Sequence, residues 1–342
     1  MNKSENVFKI LQYCKAQKYR RTKILTFNNI MTTTFKEKST MLRNVIFTKS
    51  TTQAQHNEIQ IQIQRREIIF QEMSNNEIRN AIFTSNIKKA AGSDNINFLC
   101  LQHAYKAKST TFHILYRCLT NIEYQPRCWR EATCAIISKP NKIDYKTLKS
   151  YRSVALLNCL SKIIEKIFAT RLAYYAKTYE LLHEEQMRGR KQRSAVDATL
   201  RLTHEIQKAS SQRHVSSCLM LNVKEAFDNV SRDRLLNTMK NLGISQNIVN
   251  WTNDFMSDRR VALSFDNERD DMKSIETGIS QGSSISPILF LLYLRSLFDD
   301  IKRQYSSTMC LSYIDDVSIL VSNKKVKQNK KMLEDIARTA FK

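Results

Sequence analysis

Two short apolar runs near the carboxyl end of the chain enclose a pair of adjacent aspartates. Met309–Tyr313 and Val317–Val321 have the length and composition of buried strands, and Asp315 and Asp316 lie in the short connection between them. The pattern predicts a β-hairpin with both carboxylates at its tip. Adjacent carboxylates there repel each other and lose hydration, which costs several kcal/mol unless a cation offsets it. Because oxygen ligands suit Mg²⁺, the tip is either a metal site or an exposed acidic turn, and these residues alone leave both open.

Two further pairs of adjacent aspartates have different surroundings. Asp270 and Asp271 lie in a polar stretch, and Asp299 and Asp300 end a predicted helix. Carboxylates in such contexts are ordinarily solvated. Both pairs are therefore predicted to lie on the surface, and the hairpin is the aspartate pair that indicates chemistry.

Basic residues exceed acidic residues by a wide margin. The 342 residues include 55 Lys and Arg against 32 Asp and Glu, a formal net charge of +23. Such an excess predicts a polyanionic partner, nucleic acid before membrane, although a protein with a solvated lysine-rich face has the same composition. Residues 1–70 are basic and show weak apolar periodicity, so we expect a loosely structured arm with some helix there.

The sequence shows no sign of export or of a membrane span. It opens with no signal peptide, and its longest apolar run, Ile288–Leu294, is far too short to cross a bilayer. The eight cysteines include no C-x-x-C pair and no His at zinc-ligand spacing, a pattern typical of reduced thiols. We therefore expect an intracellular protein, in the nucleus or cytoplasm, without a membrane partner.

The periodicity of apolar residues predicts a mixture of helices and strands. Between Leu156 and Leu172 these residues recur at helical spacing, which predicts a long amphipathic helix. The other predicted elements are a helix capped by Ser231 and followed by Gly243, a helix from Ser286 as N-cap through Leu297 with Pro287 in first position, a helix over Val326–Phe341, and a strand at Cys218–Leu221. The predicted fold class is α+β, with helices on one face of a small antiparallel sheet.

Six segments of the chain match the motifs of one family in that family's order. Tyr313-Ile314-Asp315-Asp316 resembles the catalytic Tyr-x-Asp-Asp box of reverse transcriptases. The five other segments are Lys89–Asp94, Ser150–Asn158, Gln186–Ser194, Leu221–Val230 and Gly278–Pro287. Together they resemble the reverse transcriptase of non-LTR (LINE-type) retrotransposons, over roughly residues 70–342. One Tyr-x-Asp-Asp box alone would be weak evidence for the family, whereas six motifs in the family's order are specific evidence for it.

The resemblance implies the right-hand architecture of polymerases. After the arm at 1–70, residues 71–215 would form the fingers and the helices between fingers and palm. Residues 216–342 would form the palm with its catalytic hairpin. Only 26 residues follow Asp316 (342 − 316 = 26), which predicts a truncated copy whose thumb is missing.

The resemblance also implies RNA-directed DNA polymerisation, with an RNA template, a DNA primer and deoxynucleoside triphosphates as partners. In this family three carboxylates hold two Mg²⁺ or Mn²⁺ ions about 3.5–4 Å apart. Asp315 and Asp316 match two of them, but Asn222 stands at the third position. An amide ligates Mg²⁺ without carrying charge, so we expect polymerisation to be slower by on the order of 10³-fold, about 4 kcal/mol of barrier. The alternative function is a non-catalytic nucleic-acid-binding remnant of a retrotransposon polymerase.

Further residues match family positions that contact the substrates. Arg152 matches a residue that meets the triphosphate, where a guanidinium suits phosphate; by itself it would be a surface arginine. Phe227 matches the residue that excludes the sugar 2′-OH, or is a core aromatic. Gln281 and Gly282 would approach the incoming base or the template, or form an ordinary turn. The densest basic cluster would hold the template or primer backbone, or be a solvated loop: Arg188, Arg190, Lys191 and Arg193.

Overall fold

The computed structural model describes residues 22, 25–27, 30–47, 65–183, 185–187, 194–222, 226–313 and 316–340. Over these residues the chain is a mixed α+β protein. Its helices are α1 (Phe35–Ile46), α2 (Asn75–Phe83), α3 (Phe98–Asn121), α4 (Cys159–Thr178), α5 (Ala195–Ser211), α6 (Arg232–Asn241), α7 (Gln246–Met256), α8 (Ser286–Gln304) and α9 (Val326–Ala340). Its strands are β1 (Leu25–Phe27), β2 (Ile30–Thr32), β3 (Glu131–Ser138), β4 (Tyr151–Leu156), β5 (Val215–Asn222), β6 (Arg259–Phe265), β7 (Glu268–Arg269), β8 (Lys273–Ile275), β9 (Met309–Tyr313) and β10 (Asp316–Asn323). None of these described helices is both long enough and apolar enough to cross a bilayer.

An antiparallel sheet of three strands contains the predicted hairpin. Strand β10 lies in the centre, between β5 and β9. The two apolar runs that flank the aspartate pair are therefore β9 and β10, and the predicted strand at 218–221 is part of β5. These predictions are confirmed.

The prediction that helices cover one face of this sheet is wrong, because helices pack on both faces. Val317 and Ile319 of β10 lie in the main core with Ile336 of α9. Leu320 of the same strand packs with Ala198 of α5 in a separate cluster. Side chains alternate between the faces of a strand, so α9 and α5 lie on opposite sides. A strand that is apolar on both faces needs cover on both.

A second sheet of five strands is missing from the sequence-based prediction. Its order is β4-β3-β6-β7, and β8 also pairs with β6. Strands β3 and β6 are parallel, and the other pairs are antiparallel. These strands mix polar and charged residues with apolar ones, and β6 begins with Arg259 and Arg260. Apolar runs therefore do not reveal them.

Part of the segment that the sequence predicts as a loose arm is folded. Strands β1 and β2 pair with each other, and a capping box at Thr34 begins α1. Leu25 and Leu42 are 0% and 1% exposed in a core that they share with the five-stranded sheet. Residues 25–27 and 30–47 therefore belong to the folded protein, and most of the remaining predicted arm lies outside the described residues.

Asp270 is not the solvated surface residue that its polar context predicts. Arg43 of α1 donates to both carboxylate oxygens of Asp270, from Nε at 2.7 Å and from Nη2 at 2.6 Å. The Leu263 amide and the Ser39 hydroxyl also donate to this carboxylate. Partial burial acts to raise the pKa of Asp270, but these hydrogen bonds outweigh it and hold the pKa below its ordinary value.

Removal of Arg43 is expected to destabilise the protein. In the Arg43→Ala variant, the largely buried Asp270 carboxylate loses its cation, and loss of one partner of a buried ion pair costs about 3–5 kcal/mol. The side chains of Arg43 and Asp270 are 9% and 12% exposed. Urea unfolding measures the change, with Arg269→Ala, an exposed arginine of β7, as the matched control. Equal losses in the two variants would contradict the assignment.

The ends of the predicted helices are confirmed in most details. The Ser231 hydroxyl accepts from the Arg234 amide at the start of α6, and Gly243 after that helix has a φ of +74°. The cap of α8 differs by one position, because Ile285 is the N-cap and Ser286 is the first helical residue. The Ser286 hydroxyl instead donates to the Ser280 carbonyl at 2.8 Å. The helix also continues beyond Leu297, to Gln304.

Candidate active site

The end of the three-stranded sheet brings three sequence-predicted positions together. Asp316, the first residue of β10, lies directly opposite Asn222 on β5 and Tyr313 on β9. Opposed positions in an antiparallel ladder have Cα atoms about 4.5–5.5 Å apart. The side chain of Asp316 is exposed, and Asp315 lies outside the described residues. Positions 222 and 316 are therefore close enough to share a bound cation.

The donors at this end of the sheet are oxygens. Asp316 offers an exposed carboxylate, and the residue opposite it on β5 is an asparagine. Carboxylate and amide oxygens are the ligands that Mg²⁺ accepts. Among the described residues alone, no group of three His, Cys, Asp or Glu side chains could hold a metal ion. The donor set thus suits a hard divalent cation, with fewer charges than three carboxylates would give.

A loop at residues 277–285 lies against the segment that follows β5. The Gly278 amide donates to the Val230 carbonyl at 3.1 Å, and the Ile279 amide donates to the Phe227 carbonyl at 2.7 Å. Gly278 has a φ of +80°, and a Cβ on it would lie 2.5 Å from the Asp228 carbonyl oxygen. A side chain at 278 would therefore force the two segments apart.

The same loop also contacts β4. The Ala155 amide donates to the Gln281 carbonyl at 2.8 Å, and Gln281 Nε2 donates to Asp228 Oδ2 at 2.8 Å. Gly282 has a φ of +121°, and a Cβ on it would meet the Ala155 carbonyl oxygen at 2.6 Å. Gln281 and Gly282 are thus held between β4 and the segment after β5.

A buried arginine fixes the first residues of the loop. Arg259 of β6 is 4% exposed, and its Nη2 donates to the carbonyls of Thr277 at 2.5 Å and Gly278 at 2.7 Å. Burial lowers the pKa of Arg259 to about 10, although the charge of Asp228 acts in the opposite direction. The guanidinium is therefore charged at neutral pH, and it anchors two carbonyls of the loop.

Comparison with known proteins identifies the family. A family model described as reverse transcriptase (RNA-dependent DNA polymerase) matches residues 137–341, more than half of the chain. The chain belongs to the reverse transcriptase family. The matched region includes β4, the loop at 277–285 and the β9–β10 hairpin, so the resemblance inferred from the motifs is confirmed.

Relatives of this reverse transcriptase are named as transposon polymerases. The probable RNA-directed DNA polymerase from transposon BS of Drosophila melanogaster is 26% identical over 254 residues, which cover 72% of this chain and 27% of the relative. The RNA-directed DNA polymerase from mobile element jockey of the same species is 23% identical over 255 residues (73% and 27%). The chain thus spans about a quarter of the length of these relatives. Among solved structures, truncated apo telomerase from Candida tropicalis is similar over 62% of this chain and 47% of that one, with a TM-score of 0.44 and 12% identity.

The structure of this reverse transcriptase places several sequence-predicted residues around one loop. Gln281 and Gly282 belong to the loop at 277–285, and the Phe227 carbonyl accepts from the Ile279 amide of that loop. Arg152 is exposed on β4, three residues before Ala155. The half-buried Phe227 ring packs on Phe290 at 5.2 Å between centroids, so a core role and a sugar-selecting role both stay predictions. The predicted basic cluster lies outside the described residues: Arg188, Arg190, Lys191 and Arg193.

Glu165 of α4 is a site residue that the motifs do not reveal. It is 0% exposed, and it accepts from the Ser161 hydroxyl at 2.5 Å, the Ser283 hydroxyl at 2.6 Å and the Ser284 amide at 3.3 Å. Burial raises its pKa, and the hydrogen bonds only partly offset that effect. Its sequence signal is an acidic residue three positions before Phe168, on the buried face of a predicted helix.

The buried Glu165 carboxyl is expected to make stability depend on pH. Because its folded pKa is above 4.5, its contribution is fully present below that pH and is lost as the pH rises through the folded pKa. The natural chain should therefore lose stability relative to Glu165→Gln between acid and neutral pH. Urea unfolding across this range measures the difference, with Glu334→Gln, an exposed position of α9, as the control. A difference that does not change with pH would contradict the assignment.

Proposed function

We propose that this chain is an RNA-directed DNA polymerase domain of a retrotransposon, which extends a DNA primer along an RNA template with deoxynucleoside triphosphates. The observation that supports it is the register of the three-stranded sheet. In a member of the reverse transcriptase family, Asp316 lies opposite both Asn222 and Tyr313. This is where the resemblance requires the metal-binding carboxylates to converge.

In this proposal Asp315, Asp316 and Asn222 would hold Mg²⁺ or Mn²⁺. When bound, the metal would activate the primer 3′-OH and stabilise charge on the triphosphate. Exposed Asp316 can reach a cation without breaking any described contact in the core. Residues 71–215 would supply the fingers and residues 216–342 the palm.

The nucleotide would lie against the surface formed by β4, the segment after β5 and the loop at 277–285. Arg152 is exposed on β4, and it would bind the triphosphate. Phe227 would exclude the sugar 2′-OH. Gln281 and Gly282, which Asp228 and Ala155 hold in place, would orient the base or the template. The basic residues from 188 to 193 would hold the template or primer backbone: Arg188, Arg190, Lys191 and Arg193.

The second candidate function is non-catalytic nucleic-acid binding by a remnant of such a polymerase. Asn222 favours it, because two carboxylates and an amide offset less of the charge of two divalent ions than three carboxylates do. The net charge of +23 fits both candidates. The two differ in whether restoring the carboxylate restores turnover.

The test is primer extension by the Asn222→Asp chain on an RNA template with a DNA primer. We expect extension with deoxynucleotides and Mg²⁺ and much less with ribonucleotides. Extension with ribonucleotides alone would contradict the substrate class. No extension with either nucleotide would contradict the polymerase proposal and favour the binding remnant.

A further inference from the structure

We propose that a basic groove between α4 and the α2–α3 connection binds single-stranded nucleic acid and leads it to the candidate active site. The groove has a volume of about 1240 Å³. Lys162, Lys166 and Lys177 of α4 line one wall, and Lys89 lines the other. Of the described residues that line it, none is acidic. The inference rests on the proposed function, because the strand in the groove would be the template of the proposed polymerase.

Lys162 is the first sign that the groove receives an anion. Its side chain lines the groove although the residue is only 8% exposed. No described acidic oxygen lies within 4 Å of its ammonium group, although its charge acts on the more distant Glu165. An ammonium group that lines a groove without a close counter-ion is free to bind a ligand phosphate.

Lys166 adds a second positive charge, and no anion is among its described partners. Its Nζ donates to Thr84 Oγ1 at 2.7 Å and to Ser85 Oγ at 3.0 Å, both neutral oxygens. Burial lowers the pKa of Lys166, and the positive charge of Lys89 lowers it further. Like charges therefore face one another across the groove, and a polyanion between them would relieve the repulsion.

The extent of the groove and its exposed ring indicate which polyanion it fits. Lys162 and Lys177 are 15 residues apart on one helix, a rise of about 22 Å, so the charges suit an extended chain. Tyr174, 62% exposed, lies among them, and basic grooves with exposed aromatic rings bind single strands by stacking. Ser284, which also lines the groove, belongs to the loop at 277–285. A strand in the groove would therefore contact the loop against which the nucleotide is proposed to lie.

The first test measures binding of labelled oligouridine to the whole chain by fluorescence anisotropy over a range of salt, without metal or nucleotide. The Lys89→Gln/Lys177→Gln variant removes two exposed charges. We expect it to reduce the slope of log K against log salt by about 1.4, since each phosphate contact to a single strand contributes about 0.7. The control, Lys240→Gln/Lys325→Gln, removes two exposed charges elsewhere. Equal slopes in the two variants would overturn the proposal.

The second test addresses stacking. Tyr174→Ala should weaken oligouridine binding at least about fivefold, since a stacked base is worth about 1–3 kcal/mol, while Tyr174→Phe keeps the ring and the affinity.

Loss of polyglutamate binding in the lysine variant, with oligouridine binding unaffected, would overturn the proposal in favour of an acidic protein partner. Neither test requires turnover. If oligouridine binds in the groove but the Asn222→Asp chain does not extend a primer, the polymerase proposal alone is refuted. If the Asn222→Asp chain extends a primer but the groove variants bind oligouridine as the natural chain does, the groove proposal alone is refuted.

Discussion

The Asn222→Asp variant is expected to extend an RNA-templated DNA primer on the order of 10³-fold faster than the natural chain. Asp316 lies opposite position 222 in the β5–β10 ladder, so the substitution adds a negative charge beside that carboxylate. Three carboxylates offset more of the charge of two divalent ions than two carboxylates and an amide do. Single-turnover extension with Mg²⁺ and deoxynucleotides, run on both proteins in parallel, measures the ratio.

The control for this prediction is Asn241→Asp, which adds the same charge at the exposed end of α6 and should leave the rate unchanged. Melting temperature gives a second readout. Without Mg²⁺, a carboxylate at 222 repels Asp316, which lies opposite it in the ladder, so the variant should melt below the natural chain. Mg²⁺ should then raise its melting temperature by more than that of the natural chain. Equal extension rates for the two proteins would contradict the role of position 222.

Elements with one uninterrupted pattern could be predicted from the sequence. Helix α4 and the two strands of the hairpin are examples, because α4 has apolar residues at helical spacing and each strand contains a short apolar run. The helix after Ser231 could also be predicted, since a capping serine and a glycine with positive φ mark its two ends. In these cases local interactions and burial favour the same conformation.

The five-stranded sheet could not be predicted in the same way. Its parallel pairing joins Glu131–Ala135 of β3 to Arg260–Ser264 of β6, segments separated by more than a hundred residues. Long-range contacts decide such a pairing. The arginine at 259 also argues against a buried strand, and its burial depends on acceptors from other segments, among them the carbonyls of Thr277 and Gly278.

Only part of the candidate site could be predicted from the sequence, for a related reason. Gln281 and Gly282 lie in a motif, and the structure shows what holds them. Glu165 lies in none of the quoted motifs, and its partners Ser283 and Ser284 are more than a hundred residues away in sequence. Its position on the buried face of α4 was visible, but which groups satisfy it depends on how the loop folds back onto that helix.

In the Asn222→Asp background, the Asp316→Asn change is expected to slow primer extension by at least about 10³-fold. Asp316 occupies the ladder position between Asn222 and Tyr313, so an amide there removes one carboxylate charge from the proposed metal ligands. The side chain is exposed, and the free energy of unfolding without Mg²⁺ should change by less than about 0.5 kcal/mol. Single-turnover extension and urea unfolding separate the loss of activity from any loss of fold.

The matched control is Asp300→Asn in the same background, because Asp300 belongs to an aspartate pair on the exposed part of α8, where it pairs with Arg303 at 3.4 Å. It should leave the rate unchanged, and an equal loss in both variants would contradict the assignment of Asp316. The Asp316→Asn change should also cost far less in the natural chain than in the Asn222→Asp chain. Residues that act through the same metal ions are strongly non-additive, so equal fold losses in the two backgrounds would mean that positions 222 and 316 act on separate steps.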